Sequence, residues 1–381
     1  MKTESRNPEQ DPLFPVAPYR FDQKNEMFKR ALWDEKMRPH ANRFYKEVKF
    51  RDKTGYRKID YAFRNAAWNI EWSAAFGNAR SNSGLYEWEG INEKLKQYVE
   101  SGEPVRMPPE KMGSYIKKVA RYFGADLVGI CRVHPNWVYS HEYNTLTRKH
   151  YPIELPKGVN NAVVLAVAMD YQGIQMSPTT LEGGITGFGY SMMAFVANLL
   201  ATFIRGLGYR AIPCGNDTAL SIPLALAAGL GETGRLGLLI TEKFGPRVRL
   251  CKVFTDLPLS CDTYRSFGVK AFCEECKKCA TYCPGQAITD GEMSEEGHNI
   301  SNQSGALKWY VNAEKCFAFW AKNRSDCANC IRVCPFNKPR GIIHNMTRGI
   351  IRRTTLFNRF LLWMDDLFGY EKPIHPEKFW N

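Results

Sequence analysis

The sequence predicts an α/β (α+β) protein, a mixed helix-and-strand core followed by a small domain built on cysteines. Three observations carry this. Helical and strand-like hydrophobic periods alternate from about residue 110 to residue 254. Eight of the twelve cysteines crowd between Cys273 and Cys334. The opening stretch is polar and rich in tryptophan, with no core pattern of its own. Four segments are therefore expected: a wrapping region over 1–105, the core over 106–267, the cysteine domain over 268–340, and a helix and tail over 341–381 packing back on the core.

The chain has 381 residues, 44% of them hydrophobic, enough for two or three domains with a sizeable core. Its net charge of +13 is dispersed, with no block of like charges, and reads as a solvated basic surface. The apolar segment Met192 to Ile204 is too short to span a bilayer and ends at Arg205. Met1 to Gln10 is polar and carries no signal-peptide pattern or twin arginine. The expected location is the outer face of a membrane if the chain is a mature form, and the cytoplasm otherwise.

In order along the chain, Pro15 to Tyr19 reads as extended. Trp68 and Trp72 stand four apart, share a helix face, and are expected in the core. Gly102 to Pro104 and Pro108-Pro109 mark a boundary. Pro109 to Phe123 reads as a helix, Ala125 to Cys131 as a short strand, and Asn161 to Met169 as a buried strand. Ser191 to Ile204 has helical spacing, Tyr209 to Pro213 is strand-like, and Ser221 to Ala228 is a helix. Arg235 to Thr241 and Arg247 to Phe254 read as a strand pair. Gly229-Leu-Gly-Glu-Thr-Gly234 matches G-x-G-x-x-G, but a helix precedes it and a strand follows, the reverse of the dinucleotide arrangement. A turn whose glycines admit a bulky ligand is expected there. Thr354 to Phe368 reads as the final helix.

Cys273, Cys276, Cys279 and Cys283 followed by Pro284 form C-x2-C-x2-C-x3-C-P, the ferredoxin run for a [4Fe–4S] cluster. Cys316, Cys327, Cys330 and Cys334 before Pro335 repeat the ending. Three close thiolates reach three corners of one cubane, and the cysteine before proline serves the other cluster. One cluster is thus assigned to Cys273, Cys276, Cys279 and Cys334, the other to Cys316, Cys327, Cys330 and Cys283. Zinc ribbons do not show two such endings, and disulfides suit small secreted scaffolds. Cys131, Cys214, Cys251 and Cys261 are expected as buried free thiols.

A bare electron carrier needs no attachment of this size. Tyr190, Asn216 and Arg249 are placed at turns or ends of core elements, after glycine-rich or irregular stretches, and Trp320 lies within the second cysteine run. The chain here resembles the corrinoid-dependent reductive dehalogenases, through both cysteine runs, Lys308-Trp309, Cys316-Phe-Ala-Phe-Trp320, Arg249 to Leu259, Gly229-Leu-Gly-Glu and Pro18 to Asn25. The resemblance implies a nitroreductase-like corrinoid-binding core with a ferredoxin-like domain. It implies Tyr190 as proton donor, Arg249 beside it, Asn216 in the pocket, and Trp320, with Trp88 and Phe188, as aromatic walls. It implies two [4Fe–4S] clusters and a base-off corrinoid of cobalamin or norpseudo-B12 type. No histidine stands in D-x-H-x-x-G, which agrees with the absence of a cobalt ligand from below. The implied partners are an organohalide substrate and an external electron donor, with no nucleic acid. A small membrane anchor protein and a second copy of the chain are candidate partners. The alternatives are an epoxyqueuosine reductase acting on tRNA, disfavoured because no helical repeat follows the cysteines, and a non-catalytic electron-transfer subunit.

Overall fold

The computed structural model describes residues 17–47, 50–75, 84–91, 93–100, 102–339 and 341–381. The polar opening Met1 to Gln10, and Pro15 and Val16 of the segment read as extended, lie outside these residues.

Before the core run α1 (Met27–Trp33), α2 (Arg38–Tyr45), α3 (Lys58–Ser73) and α4 (Glu93–Glu100). The core follows with α5 (Pro109–Tyr122), β1 (Leu127–Arg132), β2 (His141–Tyr143), β3 (His150–Pro152), β4 (Asn161–Ala168), α6 (Tyr171–Ile174), α7 (Thr180–Gly206), β5 (Ala211–Cys214), α8 (Ser221–Ala227), β6 (Glu232–Thr233), β7 (Leu239–Ile240) and β8 (Val248–Thr255). The cysteine segment holds α9 (Val269–Cys276), α10 (Lys278–Thr281), α11 (Ala313–Asn323) and α12 (Asn329–Arg332). The tail holds α13 (Ile342–Arg353) and α14 (Asn358–Leu367).

The central sheet has the order β1-β4-β8-β5 and is antiparallel throughout. Ile130, Val163, Val253 and Pro213 stand in one row across it. Strand β4 is apolar on both faces, as a sheet covered on both sides requires. Val163, Leu165 and Val167 pack with Met193, Ala197 and Leu200 of α7 and with Ile116 of α5. Ala162, Val164 and Ala166 face the other way, toward Leu224 and Leu226 of α8. The period-2 alternation of the strand thus feeds two separate hydrophobic layers.

The strand pair expected over 235–254 does not form. Leu239–Ile240 pairs with Glu232–Thr233, while β8 is inserted between β4 and β5. Eight consecutive partners along β4 outweigh the short turn that would have joined two neighbouring runs. Helix α7 begins eleven residues earlier than the Ser191 start read from spacing. Gly183, Gly184, Gly187 and Gly189 look like loop residues by propensity. Here they are helical, and α3 presses on the first three: a Cβ on Gly184 would lie 2.4 Å from Phe63 Cε1, and one on Gly187 would lie 2.1 Å from Trp68 Cδ1, while Gly189 faces Arg249. At 27 residues α7 is long and apolar enough to cross a bilayer, yet 56% of its most apolar window is buried, and it packs between α3 and the sheet.

Gly229 and Gly231 admit the chain's own backbone, whereas Gly234 packs on the Ile240 and Leu236 side chains and lines a cavity. A Cβ on Gly231 would meet the Ile240 carbonyl oxygen at 2.2 Å. Cys131, Cys214 and Cys251 are buried, but Cys261 is exposed. The tail closes over the cysteine segment instead of the central sheet: Asp365 on α14 receives Lys278 at 2.5 Å and also Lys338, and Leu361 and Leu362 join the core around Cys273. Its last turn reaches α3, where Trp380 Nε1 donates to Asp60 Oδ1 at 2.8 Å.

The α3–α7 contact gives a direct test. Gly187→Ala forces a methyl into the rigid Trp68 ring and should cost about 1–3 kcal/mol, read as a lowered thermal midpoint. Gly206→Ala, at the end of the same helix with no atom within 4 Å, should be neutral or slightly stabilising.

Candidate active site

A cavity of about 1280 Å³ opens between α3, α7, the 215–223 loop, the β6–β7 hairpin, the 301–311 segment and α11. This exceeds the roughly 300–1,000 Å³ of ordinary small-molecule pockets. Tyr190, Asn216, Arg249 and Trp320 all line it.

Tyr190 sits in the middle of α7, not at a turn, on the face it shares with Thr186 and Met193. Its ring stacks on Trp68 with centroids 4.8 Å apart, and Trp68 stacks in turn on Trp72 at 5.6 Å. The Arg249 guanidinium carbon lies 5.0 Å from the Tyr190 ring centroid. Asn216 Nδ2 donates to the phenol oxygen at 3.1 Å. Burial raises the Tyr190 pKa, and the Arg249 charge opposes that rise. Tyr190 is therefore a neutral phenol at neutral pH, with a cation ready to offset a negative charge on it.

The supports of these groups come from the sheet. Arg249 and Lys252 leave opposite faces of β8. Arg249 Nη2 donates to Thr186 Oγ1 at 3.1 Å, and Thr186 donates to Glu182 Oε1 at 2.9 Å. Lys252 is fully buried, and its ammonium donates to the carbonyls of Gly215 at 2.5 Å and Ala219 at 2.8 Å. These bonds clamp the loop that presents Asn216.

Trp320, on α11, packs against Phe28 at 5.6 Å and Phe44 at 6.0 Å, and its Nε1 is buried without a protein partner among the described residues. Phe188 and Trp88 are corrections. Phe188 lies two residues, about 200° of helix, from Tyr190, and is 59% exposed outside the cavity. Trp88 is buried in the layer around α8, with its carbonyl accepting from Arg205, and also lies outside the cavity wall.

The site holds further residues that local patterns do not single out. Trp68 and Trp72 are not a core pair; Trp68 forms the wall behind Tyr190. Glu71, between them, has its carboxyl pushed up to about 8, first by burial and then by Asp217, and its Oε2 has no partner among the described residues. It is a neutral acid at neutral pH. Arg64 pairs with Asp326 at 3.1 Å on the same wall. A charged residue between tryptophans on one helix is the only sequence signal for this group.

The cavity fits a large cofactor with an apolar body and polar edges. Trp320 Nε1, Glu71 Oε2 and Tyr86 Oη are buried polar atoms on residues of its wall, without partners among the described residues. Among the described residues no histidine lines it.

The cysteines of the two runs lie close enough to influence one another's charge. Burial is the first influence on Cys279, Cys316, Cys330 and Cys334, raising each thiol, and the further influences come from neighbouring cysteines of both runs. Cys334 is raised by Cys273 and Cys276, and Cys279 by Cys334, Cys273, Cys330 and Cys276. Cys316 is pushed up to about 12, with Cys327 and Cys283 contributing; Cys330 is likewise pushed to about 12, with Cys316 and Cys283 contributing. Both runs thus contribute to each neighbourhood, and the crossed sets are the proposed ligand assignment. Such thiols bind iron as thiolates, which the metal's own charge stabilises. The Cys316 set is the one beside the cavity: Trp320 is one helical turn from Cys316, Asp326 adjoins Cys327 and lines the wall, and Glu182 influences both Cys327 and Cys330.

The crossed pairing predicts a specific iron count. Cys283→Ser should lower the content from about eight irons to about four per chain. Adding Cys316→Ser should remove no more, while adding Cys273→Ser should empty both sites. Equal iron in the two double variants would refute the pairing.

Comparison with known proteins agrees with this architecture. Residues 272–337 match the 4Fe-4S double cluster binding domain family. The tetrachloroethene reductive dehalogenase of Desulfitobacterium hafniense is 35% identical over 86% of this chain and 70% of its own length. That of Sulfurospirillum multivorans is 35% identical over 92% of this chain and 76% of its own. The solved structure of the catabolic reductive dehalogenase NpRdhA superposes with a TM-score of 0.74 at 25% identity, covering 95% of this chain; the chain spans 48% of that one. An epoxyqueuosine reductase of Aliivibrio fischeri matches 44% of this chain at 29% identity, a more distant relationship. Identity at this level over most of both sequences, together with the double-cluster segment and the shared fold, shows that the chain belongs to the corrinoid-dependent, iron–sulfur reductive dehalogenase family.

Proposed function

We propose that the chain replaces carbon–halogen by carbon–hydrogen in an apolar organohalide, with Tyr190 as proton donor. One observation carries this reading: a neutral phenol faces a large cavity while held between an indole, a guanidinium and an amide. A base-off corrinoid bound in the cavity, charged with single electrons through the two clusters from an external donor, would supply the two electrons that expel halide. Ile222, Pro223, Gly234, Leu238, Val248 and Leu250 offer the apolar lobe that would seat its macrocycle.

The chain's own residues do the rest. Tyr190 Oη gives up its proton to the carbon that loses halide, so two electrons and one proton balance one carbon–hydrogen bond and one halide. The phenolate left behind is stabilised by the Arg249 charge and by the Asn216 N–H. Arg249 is kept over the ring by Thr186, so it need not reorganise as charge develops. Trp68 and Trp320 form apolar walls that exclude water from the reacting carbon. The absence of histidine from the described wall supports a corrinoid without a protein ligand below cobalt.

Tyr190→Phe, with iron and cobalt content verified, should lower halide release by about two to four orders of magnitude. Arg249 acts through Tyr190, so Arg249→Met added to Tyr190→Phe should cost scarcely more than the worse single change. Unchanged turnover in Tyr190→Phe would remove the phenol from the reaction. The base-off reading is checked separately by electron paramagnetic resonance of the corrinoid-loaded protein in its Co(II) state. No nitrogen superhyperfine splitting is expected, and its appearance would show an axial nitrogen, from a histidine or the corrinoid's own base, and overturn the base-off reading.

A further inference from the structure

We infer that Asp22, His141 and His150 form a site for a borderline divalent cation, of which zinc is the natural probe. One ligand atom from each lies within 4.8 Å of the other two. The grouping is built by topology. In the β2–β3 hairpin, Tyr143 stands opposite His150 and His141 opposite Pro152, so the two histidines are diagonal neighbours on one face. Their rings lie 4.5 Å apart. The third ligand arrives from 119 residues before His141, on the segment that leads into α1.

The donors are already oriented. His141 Nδ1 lies 3.1 Å from Ser140 Oγ, which leaves Nε2 for a metal; ligating imidazoles use such a partner on their other nitrogen. His150 Nε2 points at Asp22, 2.9 Å from Oδ2 and 3.0 Å from Oδ1. The Lys24 backbone N–H donates to Asp22 Oδ1 at 2.9 Å, fixing the carboxylate. The competing cation, the Lys24 ammonium, is drawn off over the Trp33 ring at 4.5 Å. Two imidazoles and one carboxylate suit zinc and its first-row neighbours, with the remaining positions open to water. Donors on one zinc lie about 3.3 Å apart, given zinc–nitrogen bonds near 2 Å, so the widest separation in the group must close by up to about 1.5 Å, within reach of rotation of the three side chains.

The consequence is a clip on the cavity wall. Phe21 and Gln23, on either side of Asp22, both line the cavity. Ser140 N–H donates to the Phe21 carbonyl at 2.9 Å, and the Tyr143 N–H to Gln23 Oε1 at 3.2 Å. A bound ion would tie this segment to the hairpin through three strong bonds where a surface ion pair contributes little. The role is structural and independent of the proposed dehalogenation.

The test uses the holoprotein, anaerobic, with both clusters and corrinoid in place and washed with chelator. Zinc is then titrated against a competing chelator, and zinc, iron and cobalt are counted by mass spectrometry. One zinc per chain is expected, with two imidazole ligands at the zinc absorption edge and a raised thermal midpoint. His141→Gln, His150→Gln and the conservative Asp22→Asn should each bind zinc at least about tenfold more weakly, with iron and cobalt unchanged. Failure of the wild type to hold zinc at submillimolar free metal would overturn the inference. So would zinc binding that all three variants retain at full affinity, since the metal would then lie elsewhere.

Discussion

The close approach of α3 to α7 is the constraint on which the site depends. Three glycines in the first half of α7, Gly183, Gly184 and Gly187, remove the side chains that would hold the helices apart, and Phe63, Arg64 and Trp68 occupy the space. Trp68 can then lie flat on Tyr190, and Glu71 can sit beside it in the cavity wall. A helix with larger residues at those positions would carry α3 outward and open the phenol to water. The helix-propensity cost of glycine is offset by burial of the aromatic rings on both sides of the contact.

The sheet supplies the second half of the arrangement. Strand β8 lies between β4 and β5, so its alternating side chains reach both layers of the core. One face delivers Arg249 under Tyr190, and the other buries Lys252 beneath the loop that carries Asn216. A buried ammonium without partners would be prohibitively costly, so the carbonyls of Gly215 and Ala219 are held to it, and the loop is rigid as a result. The contacts from Arg249 through Thr186 to Glu182 continue to the surroundings of Cys327 and Cys330. The cysteine segment and the Tyr190 wall of the cavity are therefore joined through one buried helix.

Legibility in the sequence follows the range of the interactions. The cysteine runs are readable because a cubane takes its ligands at fixed local spacings, and the buried strand Asn161–Ala168 because both its faces are apolar. Tyr190, Asn216, Arg249 and Trp320 can be named and do meet on one cavity. Trp88 and Phe188 do not join them: Trp88 is drawn into the core layer around α8, and Phe188, two residues from Tyr190, is turned about 200° away from it on the same helix. The start of α7 escapes a local reading because glycine speaks for a loop locally and for close packing only when a partner helix is present. The partner of Arg247 to Phe254 escapes it because strand neighbours are set by the whole sheet.

The sequence by itself determined the double-cluster segment, the mixed helix-and-strand class and the bounds of elements such as α5, β4 and α8, all consequences of spacing within a few residues. Tertiary structure alone decided that a tryptophan pair is a wall of the site, that Tyr190 lies mid-helix, and that β8 sits between β4 and β5. It also brought Asp22 to a histidine pair across 119 residues. Those outcomes rest on which surfaces meet. Burial and close packing, summed over contacts distant in the chain, select that meeting, and no local pattern encodes it.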